Sequence, residues 1–76
     1  IPHQANLRIA QFVQKKFRLK DDQVFNNIQR YGNTTAASIP IALTEAWEEG
    51  KVVEGSKVVL AAFGSGFTWG SVMIQW

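Results

Sequence analysis

The 76-residue chain has no cysteine, two prolines, one methionine and one histidine. Without cysteine it can form neither a disulfide nor a thiolate metal site, so packing must hold it together, either its own or that of further chain. The same absence fits a reducing compartment, and a cytoplasmic location is expected. No apolar run approaches the ~20 residues that a membrane-crossing helix needs. No basic segment followed by an apolar core marks a secretory leader. A lone histidine with no cysteine or nearby acid completes neither a metal site nor a hydrolytic triad.

What remains is the composition of a folded domain: 46% hydrophobic, 12% aromatic and 18% charged residues. No repeat or linker-like stretch divides it, so residues 1–76 read as one continuous segment. The start at Ile1-Pro2-His3 without methionine, and the end at Trp76 without a polar tail, suggest a piece of a longer polypeptide.

The net charge is only +2, but Arg8, Lys15, Lys16, Arg18 and Lys20 put +5 into the first 20 residues, and the other 56 sum to −3. From Asn6, a suitable N-cap, to about Arg18, the apolar residues Leu7, Ile9, Ala10, Phe12, Val13 and Phe17 share one helical face. Arg8, Gln11, Lys15 and Arg18 form a basic stripe opposite, either a solvated face or a surface for an acidic partner.

Val24–Ile28 reads as a short strand. A second helix is expected over Thr35–Glu49, closed by Gly50. Pro40 requires either that Ser38 caps this helix or that the run from Thr35 is a distorted entry. Lys57–Phe63 and Phe67–Trp76 flank Gly64-Ser65-Gly66 as a buried β-hairpin, giving the order α-β-α-β-β.

Three short segments carry candidate chemistry, each with a plainer alternative. His3, in Pro2-His3-Gln4-Ala5-Asn6, could turn its ring toward a cleft or be a structural loop residue. Asn33, after Gly32, is ordinarily a turn or cap residue. Gly64-Ser65-Gly66 is ordinarily a hairpin turn, although flanking glycines also allow a backbone N–H to face an oxyanion.

Taken together these segments resemble one family. Pro2-His3-Gln4-Ala5-Asn6-Leu7-Arg8, Arg30-Tyr31-Gly32-Asn33-Thr34-Thr35-Ala36-Ala37-Ser38-Ile39-Pro40 and Ala62-Phe63-Gly64-Ser65-Gly66-Phe67-Thr68-Trp69-Gly70 are similar to the C-terminal portion of β-ketoacyl-acyl-carrier-protein synthase III. The resemblance spans all 76 residues. Thr35 stands where serine is commoner, and Ser65 occupies the middle of a glycine triplet.

The resemblance implies a thiolase-like α/β/α/β/α sandwich, of which this chain is the C-terminal part of the second half, and a homodimer for the whole enzyme. It implies His3 and Asn33 as catalytic residues, Ser65 as a backbone oxyanion donor, and Asn6 and Phe63 as contacts to pantetheine and the cleft wall. Arg8, and less strongly Lys15 and Lys16, are implied contacts to an acidic acyl carrier protein. An acyl-CoA primer and malonyl-acyl-carrier protein are the implied substrates, with no metal and no resident cofactor. The family's nucleophilic cysteine lies in an N-terminal half outside this segment, so the segment alone is expected to be inactive.

Two other readings are carried forward. A non-catalytic basic module binding nucleic acid lacks any zinc-finger, RNP or basic-zipper signature, and its aromatics do not interleave with its basic residues. A synthase-III-like enzyme making polyketides, quinolones or long-chain ketones differs in pocket residues largely outside these 76 positions.

Overall fold

The computed structural model describes residues 1–76, except for the side chain of Phe67. Helix α1 runs over Leu7–Lys16, with Asn6 as its N-cap: extended at φ −155°, Asn6 accepts the Arg8 N–H on Oδ1 at 2.9 Å. The helix stops short of Arg18, which adopts φ +55°. The Leu19 N–H then reaches the Gln14 carbonyl at 2.9 Å and the Arg18 N–H reaches Lys15 at 3.2 Å, a Schellman closure with arginine in the left-handed position. The basic stripe on the helix is therefore shorter than expected, since Arg18 has left it. Lys15 and Lys16 remain in the last turn, where cations complement the helix dipole.

The strand expected at Val24–Ile28 does not form. Val24 is extended, but the segment turns into a one-turn helix, α2, over Ile28–Tyr31. The reason is a side chain doing the work of a neighbouring strand. Gln4 Oε1 accepts the N–H groups of Asn27 at 2.9 Å and Ile28 at 3.0 Å, so the end of the segment needs no sheet partner.

After a 3₁₀ turn at Thr35–Ala37, helix α3 spans Ser38–Glu48. Pro40 is third in α3, where its missing N–H is one of four that have no intrahelical acceptor. The entry is thus the distorted one, not a Ser38 cap: Ser38 lies inside the helix, buried, accepting from Thr34 Oγ1 at 3.1 Å. Gly50, at φ +74°, closes α3 as expected, with Lys51 N–H on Ala46 O at 2.8 Å and Gly50 N–H on Trp47 O at 3.1 Å.

Strands β1 (Lys57–Gly64) and β2 (Thr68–Gln75) pair antiparallel from Lys57↔Gln75 to Gly64↔Thr68. Gly66, at φ +75°, makes the three-residue turn between them. Ile1–His3 lies parallel to the free edge of β1: the Ile1 nitrogen donates to Val59 O at 2.7 Å, Ala61 N–H to Ile1 O at 3.1 Å and His3 N–H to Ala61 O at 2.7 Å.

The core is a seam between α3 and the sheet. Ala46, Val52 and Val58 are its buried centre, and Ile1, Phe25, Leu43 and Leu60 pack around them. The expectation of a buried hairpin is met only there. The opposite face of the sheet is open, with Val59, Phe63, Trp69 and Met73 exposed, because no element of this chain lies over it. The apolar face of α1 is likewise only partly covered: Ala10 is buried, while Phe12 and Phe17 are exposed.

Candidate active site

His3 is placed by its neighbours on both sides. Its own N–H is held by Ala61 of β1, and the next residue, Gln4, is 2% exposed and hydrogen-bonded through both ends of its amide. Besides taking the two N–H groups of Asn27 and Ile28, Gln4 donates Nε2 to the Pro2 carbonyl at 2.7 Å. The strand that carries His3 is thereby tied to the start of α2.

Asn33 follows Gly32, whose φ of +68° ends α2 and turns the chain back toward the sheet. The Asn33 side chain is oriented locally: Oδ1 accepts the Thr35 N–H at 2.9 Å. With its oxygen occupied, the amide keeps Nδ2 as its outward donor.

These two placements converge. His3, Asn33, Thr35, Ala36, Ile39, Ala62 and Phe63 line one cleft of about 340 Å³. The lining contains three hydrogen-bonding side chains, His3, Asn33 and Thr35, among small and apolar residues, and it holds no carboxylate. Donors from His3 and Asn33 in such a setting suit a developing negative charge on oxygen, which a carboxylate would repel.

The other expected site residues are distributed differently. Phe63 is in the lining, as expected of a cleft wall. Ser65 is not, but it sits in the hairpin turn two residues beyond Phe63. Asn6 is also outside the lining, and its Oδ1 is committed to capping α1, which leaves only Nδ2 for a ligand. Arg8, Lys15 and Lys16 are exposed on α1, away from the cleft. Sequence reasoning assigned no role to Gln4, Thr35, Ile39 or Ala62. Thr35 carries a recognisable signal only in the backbone, a positive φ at a β-branched residue.

A charged cluster joins α2 to α3. Tyr31 Oη donates to Glu45 Oε2, and Arg30 pairs with Glu45 and, at 3.5 Å, with Glu49. The phenol's hydrogen bond holds the Glu45 carboxyl below the usual carboxylate range, and the same bond raises the Tyr31 phenol.

The comparisons with known proteins identify the family. Residues 1–76 match the family described as 3-oxoacyl-[acyl-carrier-protein] synthase III, C terminal. The β-ketoacyl-[acyl-carrier-protein] synthase III of Campylobacter jejuni is 53% identical over 75 residues, 99% of this chain and 23% of that protein. That of Clostridioides difficile is 51% identical over 76 residues. Among solved structures, the Aquifex aeolicus 3-oxoacyl-[acyl-carrier-protein] synthase III superposes with a TM-score of 0.95 at 52% identity, covering 99% of this chain and 24% of that one. The Thermus thermophilus enzyme also superposes at 0.95, with 47% identity. The chain spans about a quarter of the length of the relatives it matches. Its fold is therefore part of a thiolase-like α/β architecture, and the chain belongs to the 3-oxoacyl-[acyl-carrier-protein] synthase III family, in its C-terminal region.

Proposed function

We propose that the whole protein containing this chain is a condensing acyltransferase. It joins an acyl-CoA primer, typically acetyl-CoA, to malonyl-acyl-carrier protein and gives 3-oxoacyl-acyl-carrier protein, the first condensation of fatty acid synthesis. The observation that carries this reading is the single cleft that unites His3 with Asn33, whose Nδ2 is its free donor.

The chemistry follows from that pair. Loss of CO₂ from the malonyl thioester places the C–C electron pair in an enolate, with negative charge on the thioester oxygen. Donors from Asn33 and a neutral His3 stabilise that oxygen as charge develops. The enolate carbon then attacks the acyl thioester on a cysteine supplied from outside these residues, and the cysteine thiolate leaves. In acyl transfer, the Ser65 backbone N–H serves as an oxyanion donor, a role to which its side chain is indifferent.

Phe63 bounds the cleft, and Asn6 Nδ2 contacts the pantetheine arm. Arg8, with Lys15 and Lys16, meets the acidic carrier protein, setting association rate and salt dependence more than tight affinity. The thioesters are substrates, and the reaction calls for no metal or resident cofactor. The whole enzyme works as a cytoplasmic homodimer. No helix among the described residues is long and apolar enough to cross a membrane.

The test is a pair of separated half-reactions in the full-length enzyme. His3→Ala or Asn33→Ala is expected to lower malonyl decarboxylation by about 10²–10³-fold, the effect of removing one oxyanion donor. Primer transfer from acyl-CoA to the enzyme persists. Equal loss of both half-reactions overturns the division of labour.

A further inference from the structure

Thr35 is a β-branched residue in the left-handed region, at φ +53°, where such residues are outliers. Two contacts accompany this conformation. Its hydroxyl donates to the Thr34 carbonyl at 2.8 Å, and its N–H donates to Asn33 Oδ1 at 2.9 Å. Thr35 and Asn33 both line the cleft. An asparagine amide is nearly symmetric in shape, and with either end forward it would present an acceptor or a donor. Only one end suits an enolate oxygen.

We propose that Thr35 is a positioning residue for the decarboxylation step: its unusual backbone conformation aims an N–H at Asn33 Oδ1 and so fixes the amide with Nδ2 toward the substrate oxygen. The proposal rests on the enolate-stabilising role of Asn33 given above. It adds that the polarity of the Asn33 amide is set by a main-chain group and that the Thr35 hydroxyl maintains the conformation that delivers it.

The experiment uses the full-length enzyme and reads malonyl decarboxylation, primer transfer and melting temperature together. Thr35→Val keeps the shape but deletes the hydroxyl, and is expected to lower kcat for decarboxylation about 10–100-fold with little change in KM, the scale of a misplaced reacting group. Primer transfer stays within about threefold. Thr35→Gly keeps the N–H, adopts positive φ freely, and is expected to lose no more than about threefold.

In an Asn33→Ala background, Thr35→Val adds less than about twofold, since the two act through one group. Should Thr35→Val lower the melting temperature enough to obscure the rates, an amide-to-ester exchange at residue 35 removes the N–H alone and is expected to reproduce the 10–100-fold loss.

Normal decarboxylation in Thr35→Val or in the ester overturns the proposal, as does an undiminished Thr35→Val effect in the Asn33→Ala background. Decarboxylation that survives Asn33→Ala overturns the functional reading itself, a separate result.

Discussion

The α3 side of the molecule and the hairpin side are built from similarly apolar sequence but reach opposite states. Around α3, Ser38, Ala42 and Ala46 are buried, and Gln4 and Asn27 bring their polar atoms into that packing with hydrogen bonds made. Along β1, burial alternates only at its start, where Val58 is 7% exposed and its neighbour Val59 is 51% exposed, and from Ala61 onward the strand is exposed. One face of the sheet meets α3 only at its Val58–Leu60 end, where Ile74 is half-buried but Val72 is exposed, and the other face finds nothing within this chain. The difference teaches that hydrophobicity specified the strands, whereas coverage depends on which layers are present.

The largest test of that contrast is Gln4→Ala, which leaves the Asn27 and Ile28 N–H groups without their acceptor. It is expected to destabilise the full-length protein by about 3 kcal/mol in urea unfolding. Loss of under about 1 kcal/mol would show that water replaces Gln4 and that the seam is not closed.

Next come the paired changes Val58→Ala and Val59→Ala. Val58→Ala is expected to cost about 2 kcal/mol through lost burial and a cavity. If the rest of the full-length protein covers the open face, Val59→Ala costs a similar amount there. The isolated 76-residue segment, its open face bare, is expected to self-associate, which sedimentation measures. A monomeric segment with a cooperative melt would break the comparison.

A smaller effect of opposite sign belongs to the end of α1. Gly50 and Arg18 occupy the same Schellman position at the ends of two helices, but only one is glycine. Arg18→Gly is expected to raise stability by about 0.5 kcal/mol, the left-handed penalty removed less the extra chain entropy of glycine.

The smallest effect is in the cluster where half-exposed Tyr31 and Arg30 meet Glu45. Arg30→Ala is expected to change stability by no more than about 0.3 kcal/mol, and by less still in high salt. Because the folded-state Glu45 carboxyl titrates below its ordinary value, its contribution is complete at neutral pH and is lost as pH falls through that lowered value. Glu45→Gln should flatten that part of the acid limb of a stability–pH profile.

Much of this was legible in the sequence because it is local. The Asn6 cap, the Gly50 closure and the hairpin centred on Gly64-Ser65-Gly66 are each written in a few adjacent residues. The meeting of His3 and Asn33 was legible only through resemblance, since no periodicity links a strand edge to a turn 30 residues on. The strand expected at Val24–Ile28 failed for a long-range reason. Its β-rich composition is real, but the acceptor for its N–H groups comes from Gln4, which no local pattern reveals. The Arg18 turn misled in the same way, because an arginine gives no notice of a left-handed backbone. Asn6 shows the converse limit: its resemblance-based role and its capping role draw on the same side chain, and the structure commits one of its two polar atoms.

The pairing of Ile1–His3 with Val59–Ala61 also bears on how the cleft comes into being. Helices and the hairpin close over short stretches, whereas this pairing joins residues 58 apart, a loop whose entropy must be overcome before the bond rewards it. His3 is therefore expected to reach its place after the helices and the hairpin have closed. During synthesis that moment cannot arrive until β1 has left the ribosome, so an unfinished chain carries the sequence of the cleft without the cleft itself.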